Sequence, residues 1–325
     1  MLVFGGAGFV GLNLAEALLA AGRSVTIFDR SPVPEAARRA FSGLPGRLET
    51  IAGDVTDEAA VAAAIRPGLD ALVLGAAITA DAARDAREPE RILAVNLASL
   101  VAILRGAREA GVRRVVNLSS AAAYGWKADP GDHRTILSES DPADPSGFYG
   151  LTKLAGEKLA ARLGSLWDID VVSARLSGVF GPWERETGVR DTLSPHAQIL
   201  ALARAGLPAL LPRPGRRDWV YGPDVAAALL LLIGRSTLRH RLYNLSSPTS
   251  WPALAWGQRL QRAFPGFVCR LAEPGETPSV DLHARADRPP LDTSRLTAEL
   301  GWTARFGLEN SCDDLLAHLS AEAGR

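Results

Sequence analysis

The sequence predicts an α/β fold in which a doubly wound parallel sheet carries a smaller, loop-rich C-terminal lobe. Three observations predict it: short apolar β-rich runs alternate with helical patterns through the first half, a glycine-rich turn separates the first run from the first helix, and the alternation stops after residue 177. Such alternation supplies strands apolar enough to be covered by helices on both faces, which is the arrangement a parallel sheet needs.

The strand-like runs are MLVFGG (1–6), SVTIFD (24–29), ALVLGAA (71–77), RVVNLSS (114–120) and DVVSARL (170–176). Between them, FVGLNLAEALLAAG, DEAAVAAAI, PERILAVNLASLVAILRGAREAG and YGLTKLAGEKLAARLG repeat their apolar residues at helical period. Beyond residue 177, Pro, Gly and Arg become frequent in SGVFGPWERETGVRD, LPRPGRRDWVYGPD and EPGETPSVDLHARADRPP, which read as loops. The expected organisation is a nucleotide-binding unit over 1–176, to whose sheet RLYNLSS (241–247) returns, and a second lobe over 177–240 and 248–325.

Composition narrows the function. Lys plus Arg and Asp plus Glu both total 36, so the chain has no net charge and no nucleic-acid partner is expected. The longest apolar run, VAAALLLLIG (225–234), is flanked by Asp224 and Arg235. It is too short for the ~20 residues a membrane crossing needs and reads as a buried helix. Cys269 and Cys312 form no CxxC pair and no leader pattern opens the sequence, so a reducing cytoplasm is the expected compartment. The histidines show no metal-ligand spacing, and no metal is expected.

VFGGAGFVG places Gly5, Gly8 and Gly11 between the first strand and the first helix. A tight turn, a close approach to a pyrophosphate and close helix packing each need a glycine, and the helix N-terminus attracts the phosphates. Asp29 ends the second strand, where a carboxylate bonds ribose hydroxyls. It would repel a 2′-phosphate and so favours NAD over NADP, although the adjacent Arg30 could meet such a phosphate. In FYGLTKLAGEK, Tyr149 and Lys153 are four apart and share one helix face. A phenol titrates near pH 10, and an ammonium one turn along favours its phenolate.

The GxxGxxG spacing and the Tyr149–Lys153 pair together resemble the short-chain dehydrogenase/reductase superfamily, in its extended NAD-dependent epimerase/dehydratase branch, over nearly the whole chain. The resemblance implies a Rossmann domain with NAD contacted by Phe9 and Val10 at the helix start, Asp54 and Val55 in AGDVTD, Gly75, Ala76 and Ala77 behind the cofactor, Asn96, Leu176, Tyr149 and Lys153. Read alone, Asp54 is a turn former and Asn96 a polar residue on a helix face. LSSAAAYG (118–125) matches the serine-containing signature and picks out Ser120 rather than Ser119. The implied chemistry is alcohol oxidation or ketone reduction: Tyr149 moves the proton, NAD the hydride, and Ser120 orients the substrate oxygen.

The same resemblance makes the C-terminal lobe the substrate-binding one. RLSGVFGP (175–182) is similar to R-x-x-N-V-Y-G-P, with Gly178 where many sugar-nucleotide enzymes carry a substrate-contacting Asn. GRRDWVYGPD resembles the segment whose arginine binds a diphosphate and assigns that role to Arg217, against a structural bridge to Asp218 or Asp224. Arg285 and Arg288 are both candidates for a second phosphate arginine. In ERETGVRDTLSP, Arg185 and Arg190, with the following His196, either border the pocket or belong to a solvated loop.

A sugar-nucleotide epimerase is the expected function. The alternatives are a net dehydrogenase or reductase of a smaller hydroxy or carbonyl compound, and a non-catalytic NAD-binding regulator. A dehydratase is disfavoured by Ala121 and Ala122, where that chemistry wants acids. The expected partners are a small-molecule substrate and a second copy, through helices near 90–110 and 149–164.

Overall fold

The computed structural model describes residues 1–125, 135–189, 192–284 and 286–323, so Arg190 and Arg285 lie outside the described residues. A seven-stranded sheet is built from β1 (Leu2–Phe4), β2 (Val25–Asp29), β3 (Leu48–Ala52), β4 (Ala71–Leu74), β5 (Arg114–Ser120), β6 (Asp170–Leu176) and a late strand, Leu242–Leu245, in the order late strand-β6-β5-β4-β1-β2-β3. Every neighbouring pair is parallel. All five expected strands form and 242–245 returns beside β6. The edge strand β3 was not expected: LETIA is short, half-exposed and polar at Glu49 and Thr50, so it lacks the apolar run of a central strand.

Strand alternation divides the core. Leu2 and Phe4 enter one apolar cluster with Phe28, Leu72 and Val115, whereas Val3 enters another with Ile27, Val73 and Val116. The helices are α1 (Phe9–Ala20), α2 (Glu35–Ser42), α3 (Glu58–Ala64), α4 (Ala82–Arg87), α5 (Pro89–Leu93), α6 (Ser99–Glu109), α7 (Phe148–Trp167), α8 (Pro195–Arg204), α9 (Gly222–Gly234), α10 (Ala253–Leu260), α11 (Ser294–Leu300) and α12 (Leu308–Ala323). On the Leu2 side α3, α6 and α7 contribute Val61, Ile103, Leu104 and Ala160; on the Val3 side α1 and α2 contribute Leu12, Leu18 and Phe41. The stretch 89–109, read as one helix, is broken by a π turn at Ala94–Ala98 that carries Asn96.

The sheet face also recruits later segments. α9 supplies Val225, Leu229 and Leu232, and α11 supplies Leu296, to the cluster around Val3. Both therefore pack on the sheet, although the rhythm of the sequence places them with the lobe. A third cluster, including Phe180, Ile199, Trp219, Trp256 and Cys312, lies among short strand pairs: β7 (Val179–Phe180) with β10 (Val220–Tyr221), β8 (Ala209–Leu211) with β13 (Cys269–Leu271), and β9 (Arg216–Arg217) with β12 (Trp251–Pro252). The strand at 242–245 is β11 in chain order. Chain order reverses between β1 and β4, and a crevice opens beyond the carboxyl ends of those strands, where open α/β sheets bind ligands.

Candidate active site

That crevice is a cleft of about 590 Å³ running from the glycine loop to Gly178, Arg217 and Trp219. At its cofactor end the chain leaves β1 through Gly5 with φ +72°, and a Cβ there would lie 2.5 Å from the backbone nitrogen of Ala76. Only glycine fits both demands. Gly8 then caps α1 without a side chain, and no acid occupies the first turn, which leaves the helix N-terminus open toward the cleft. Asp29 is oriented by two backbone donors: Ala7 N–H at 3.0 Å and Ser31 N–H at 2.9 Å. Arg30 sits 3.7 Å from Asp54. Asp54 accepts from both Thr56 N–H and Thr56 Oγ1, so it closes a turn as well as lining the cleft. Burial raises its pKa, but these bonds and Arg30 hold it below the ordinary value.

The expected proton-transfer group meets this half at mid-cleft. Ser120 ends β5, Tyr149 lies in the first turn of α7, and Lys153 follows one turn later; all three line the cleft. Lys153 Nζ donates to Leu118 O at 2.8 Å and lies 5.5 Å from the centre of the Tyr149 ring. The Ser120 hydroxyl oxygen accepts from Ala122 N–H at 3.1 Å, which leaves its own proton free to be donated. Ser119 differs: its hydroxyl donates to the buried Glu157. Glu157 is also forked to Arg175 at 2.8 and 2.7 Å, and Arg175 stacks 4.3 Å over the ring of Tyr124. This buried pair, one turn beyond Lys153, joins α7 to β6 and to the end of β5.

At the opposite end of the cleft, Gly178 makes room for an indole. A Cβ on residue 178 would lie 2.5 Å from Trp219 Cε3 and Cζ3. Trp219 is held by its Nε1–H bond to Gly215 O at 3.2 Å and is edged by His196 at 4.8 Å. Arg217 lies with its guanidinium carbon 5.0 Å from the Trp219 ring, and its Nε is buried without a partner. Among the described residues it makes no ion pair. Burial, then the nearby charge of Arg288, pushes the Arg217 pKa down to about 10.

Three of the candidate residues do not line the cleft. Asn96 does not line the cleft: its amide is taken up by Ile78 N–H (2.7 Å), Ile78 O (2.9 Å) and Thr152 Oγ1 (3.1 Å), so it shapes the cleft wall from behind. Arg288 does not line it either, because its guanidinium pairs with buried Asp218 at 2.8 Å and donates to Ser177. His196 is wholly buried, stacked 4.0 Å on Phe180, and both ring nitrogens lack a partner. Burial and Arg217 hold its pKa well below the ordinary value, so it is a neutral core ring rather than a pocket group. By contrast Gly5, Gly8, Phe9, Val10, Gly11, Asp29, Arg30, Asp54, Val55, Gly75, Ala76, Ala77, Leu176, Gly178, Arg185 and Arg217 all line the cleft. Sequence reasoning missed Trp219, although a Trp beside the expected diphosphate arginine was the available signal.

A glycine-rich βαβ turn, a carboxylate on β2 and a Ser-Tyr-Lys group opening into one cleft define an NAD-dependent enzyme of the extended short-chain dehydrogenase/reductase type. The sequence model of the "NAD dependent epimerase/dehydratase family" matches residues 1–246, and the chain belongs to that family. It is 29% identical to UDP-glucose 4-epimerase 3 of Oryza sativa subsp. japonica over 97% of this chain and 88% of that one. It is 31% identical to sterol demethylase protein B of Methylococcus capsulatus over 72% of this chain and 66% of that one. The solved structure of MoeE5 in complex with UDP-glucuronic acid and NAD superposes with a TM-score of 0.76 at 25% identity, over 98% of both chains.

Proposed function

We propose that this chain is an NAD-dependent epimerase of a nucleoside-diphosphate sugar, with Tyr149 as acid and base, Ser120 orienting the reacting oxygen and Lys153 favouring the phenolate. The observation that carries the reading is Arg217, a partly buried guanidinium without an ion-pair partner among the described residues, in the cleft that also holds those three side chains. A diphosphate is the anion that would complete it.

The glycine turn fits a dinucleotide, since a Cβ at Gly5 would strike Ala76 and the α1 N-terminus is open. Bound NAD supplies a hydride acceptor for oxidation of the sugar and a hydride donor for the return. Tyr149 removes the proton of the sugar hydroxyl, while the free proton of Ser120 bonds the same oxygen as it becomes a carbonyl. Leu118 O fixes Lys153 Nζ beside the ring of Tyr149. Arg217 keeps hold of the diphosphate while the keto sugar presents its other face, and Tyr149 then returns the proton.

A net dehydrogenase of a less polar hydroxy compound is the second reading. It is favoured by the Trp219 wall over Gly178 and by the likeness to the sterol demethylase protein. Incubating the purified protein with UDP-glucose separates the two: a C4 epimer without free NADH supports the first, and stoichiometric NADH release with no epimer removes it. The reading also includes a homodimer, supported by Leu151, Leu159 and Leu166, which are exposed along one side of α7, and a reducing cytoplasm, supported by two free buried cysteines.

A further inference from the structure

Besides Arg84, which pairs with Glu88, four guanidinium groups among the described residues have a buried nitrogen lacking a hydrogen-bond partner: Arg175, Arg185, Arg213 and Arg217. Arg175 is compensated by Glu157 and Arg213 by Asp287. Arg217 and Arg185 have no carboxylate in ion-pair contact among the described residues, and they stand in the same cleft. Arg217 belongs to the Gly178 end already described, whereas Arg185 belongs to the other.

Arg185 rides on a loop that the C-terminal part of the chain lays over the nucleotide-binding unit. Pro182 O accepts from Asn13 Nδ2 at 2.8 Å, and Trp183 Nε1 donates to Glu16 Oε2 at 2.8 Å. Arg84 Nη1 donates to Gly188 O at 3.1 Å, and Thr79 N–H donates to Val189 O at 2.8 Å. Between these fastenings Arg185 Nη2 donates to Ala7 O at 2.7 Å, in the middle of the glycine turn, and the N–H of the same Ala7 bonds Asp29. Burial lowers the Arg185 pKa, with Asp29 alone acting in the opposite direction. A cation fixed in a half-buried place without a counter-ion marks an anion site.

We propose that Arg185 is a clamp on the pyrophosphate of NAD, closing over it from the side opposite the α1 N-terminus and retaining the cofactor from one turnover to the next. The proposal rests on the cofactor reading alone and is independent of which substrate is turned over. Retention suits an enzyme that returns the hydride to the molecule it came from.

The test is calorimetry on cofactor-free protein with NAD, ADP, adenosine and UDP, for the wild type, Arg185→Gln and Arg185→Lys. The clamp requires Arg185→Gln to weaken NAD and ADP by about 10- to 100-fold, as expected for a lost charge-assisted bond, with Arg185→Lys intermediate. Adenosine, which lacks phosphate, and UDP, which binds at the far end, must stay within about twofold of wild type. Unchanged NAD and ADP affinity overturns the proposal. So does an equal loss for adenosine, which would make Arg185 a mere strap, or a loss confined to UDP. Should Arg185→Gln fail to fold, the ADP-to-adenosine ratio in Arg185→Lys carries the same decision. Wild type that binds no NAD removes the cofactor reading itself, before any variant is compared.

Discussion

Replacing Arg217 by Met should strengthen the fold while it weakens ligand binding. A guanidinium pushed by burial from its ordinary value to about 10 is disfavoured in the folded chain by up to about 3 kcal/mol. The sign follows from proton binding: below about pH 10 the group is charged in both states, so the whole penalty is present at neutral pH. Above that value the folded chain sheds the proton first, and the penalty fades. Met keeps much of the stem and loses the stacking on Trp219, which is worth about 1–2 kcal/mol at a partly buried site. The net expectation is a gain of about 1–2 kcal/mol, or a rise in melting temperature of roughly 2–4 °C. Scanning calorimetry of ligand-free protein at pH 7 measures it, and the gap between the two proteins should narrow above pH 10. In the same variant UDP should bind at least about tenfold more weakly. A clear fall in melting temperature with UDP affinity intact would refute the reasoning, because it would mean that the guanidinium is satisfied within the fold.

Tyr149→Phe removes the hydroxyl that moves the proton and should lower turnover by about 10²- to 10⁴-fold while NAD still binds; full activity would exclude Tyr149 from the chemistry. Glu157→Gln leaves Arg175, 3% exposed, without its counter-charge and should cost about 3–5 kcal/mol in urea unfolding. His196 is neutral in the fold, and the unfolded chain binds its proton near pH 6.5. Stability should therefore fall by about 1.4 kcal/mol for each pH unit below that, and His196→Phe should lose this component of the slope; parallel slopes in the two proteins would contradict it.

Where the sequence was legible, local pattern was enough. The apolar runs at 114–120 and 170–176 coincide with β5 and β6, because central parallel strands are buried on both faces and must be apolar throughout. β3 escaped notice for the opposite reason, since an edge strand tolerates Glu49 and Thr50. The π turn at Ala94–Ala98 leaves no mark in hydropathy, yet it places Asn96 against Ile78 and Thr152. The glycine turn, Ser120, Tyr149 and Lys153 reach one cleft because each sits at a strand end or a helix start, and spacing alone sets those places. Arg288 and Trp219 were not legible in that way. Their surroundings come from segments more than 20 residues away: Ser177 and Asp218 for the first, Gly178 and His196 for the second.

The arginine in the cleft depends on this difference between neighbours in sequence and neighbours in space. Arg217 ends β9, and extended backbone sends successive side chains to opposite sides. Asp218 accordingly turns inward, where it receives Ser177 Oγ at 2.8 Å, Leu291 N–H at 2.9 Å, Ser246 Oγ and Arg288. Its charge is thus consumed by a partner from a distant loop. Were the adjacent residues paired, Arg217 would be neutralised and the cleft would lose its anion-seeking group. A chain with equal numbers of acidic and basic residues can therefore still hold uncompensated positive charge at both ends of one cleft, because Asp218 is spent on Arg288 and both oxygens of Asp29 are engaged by backbone amides. Arg217 and Arg185 are the arginines of that cleft whose buried nitrogens are left for a ligand.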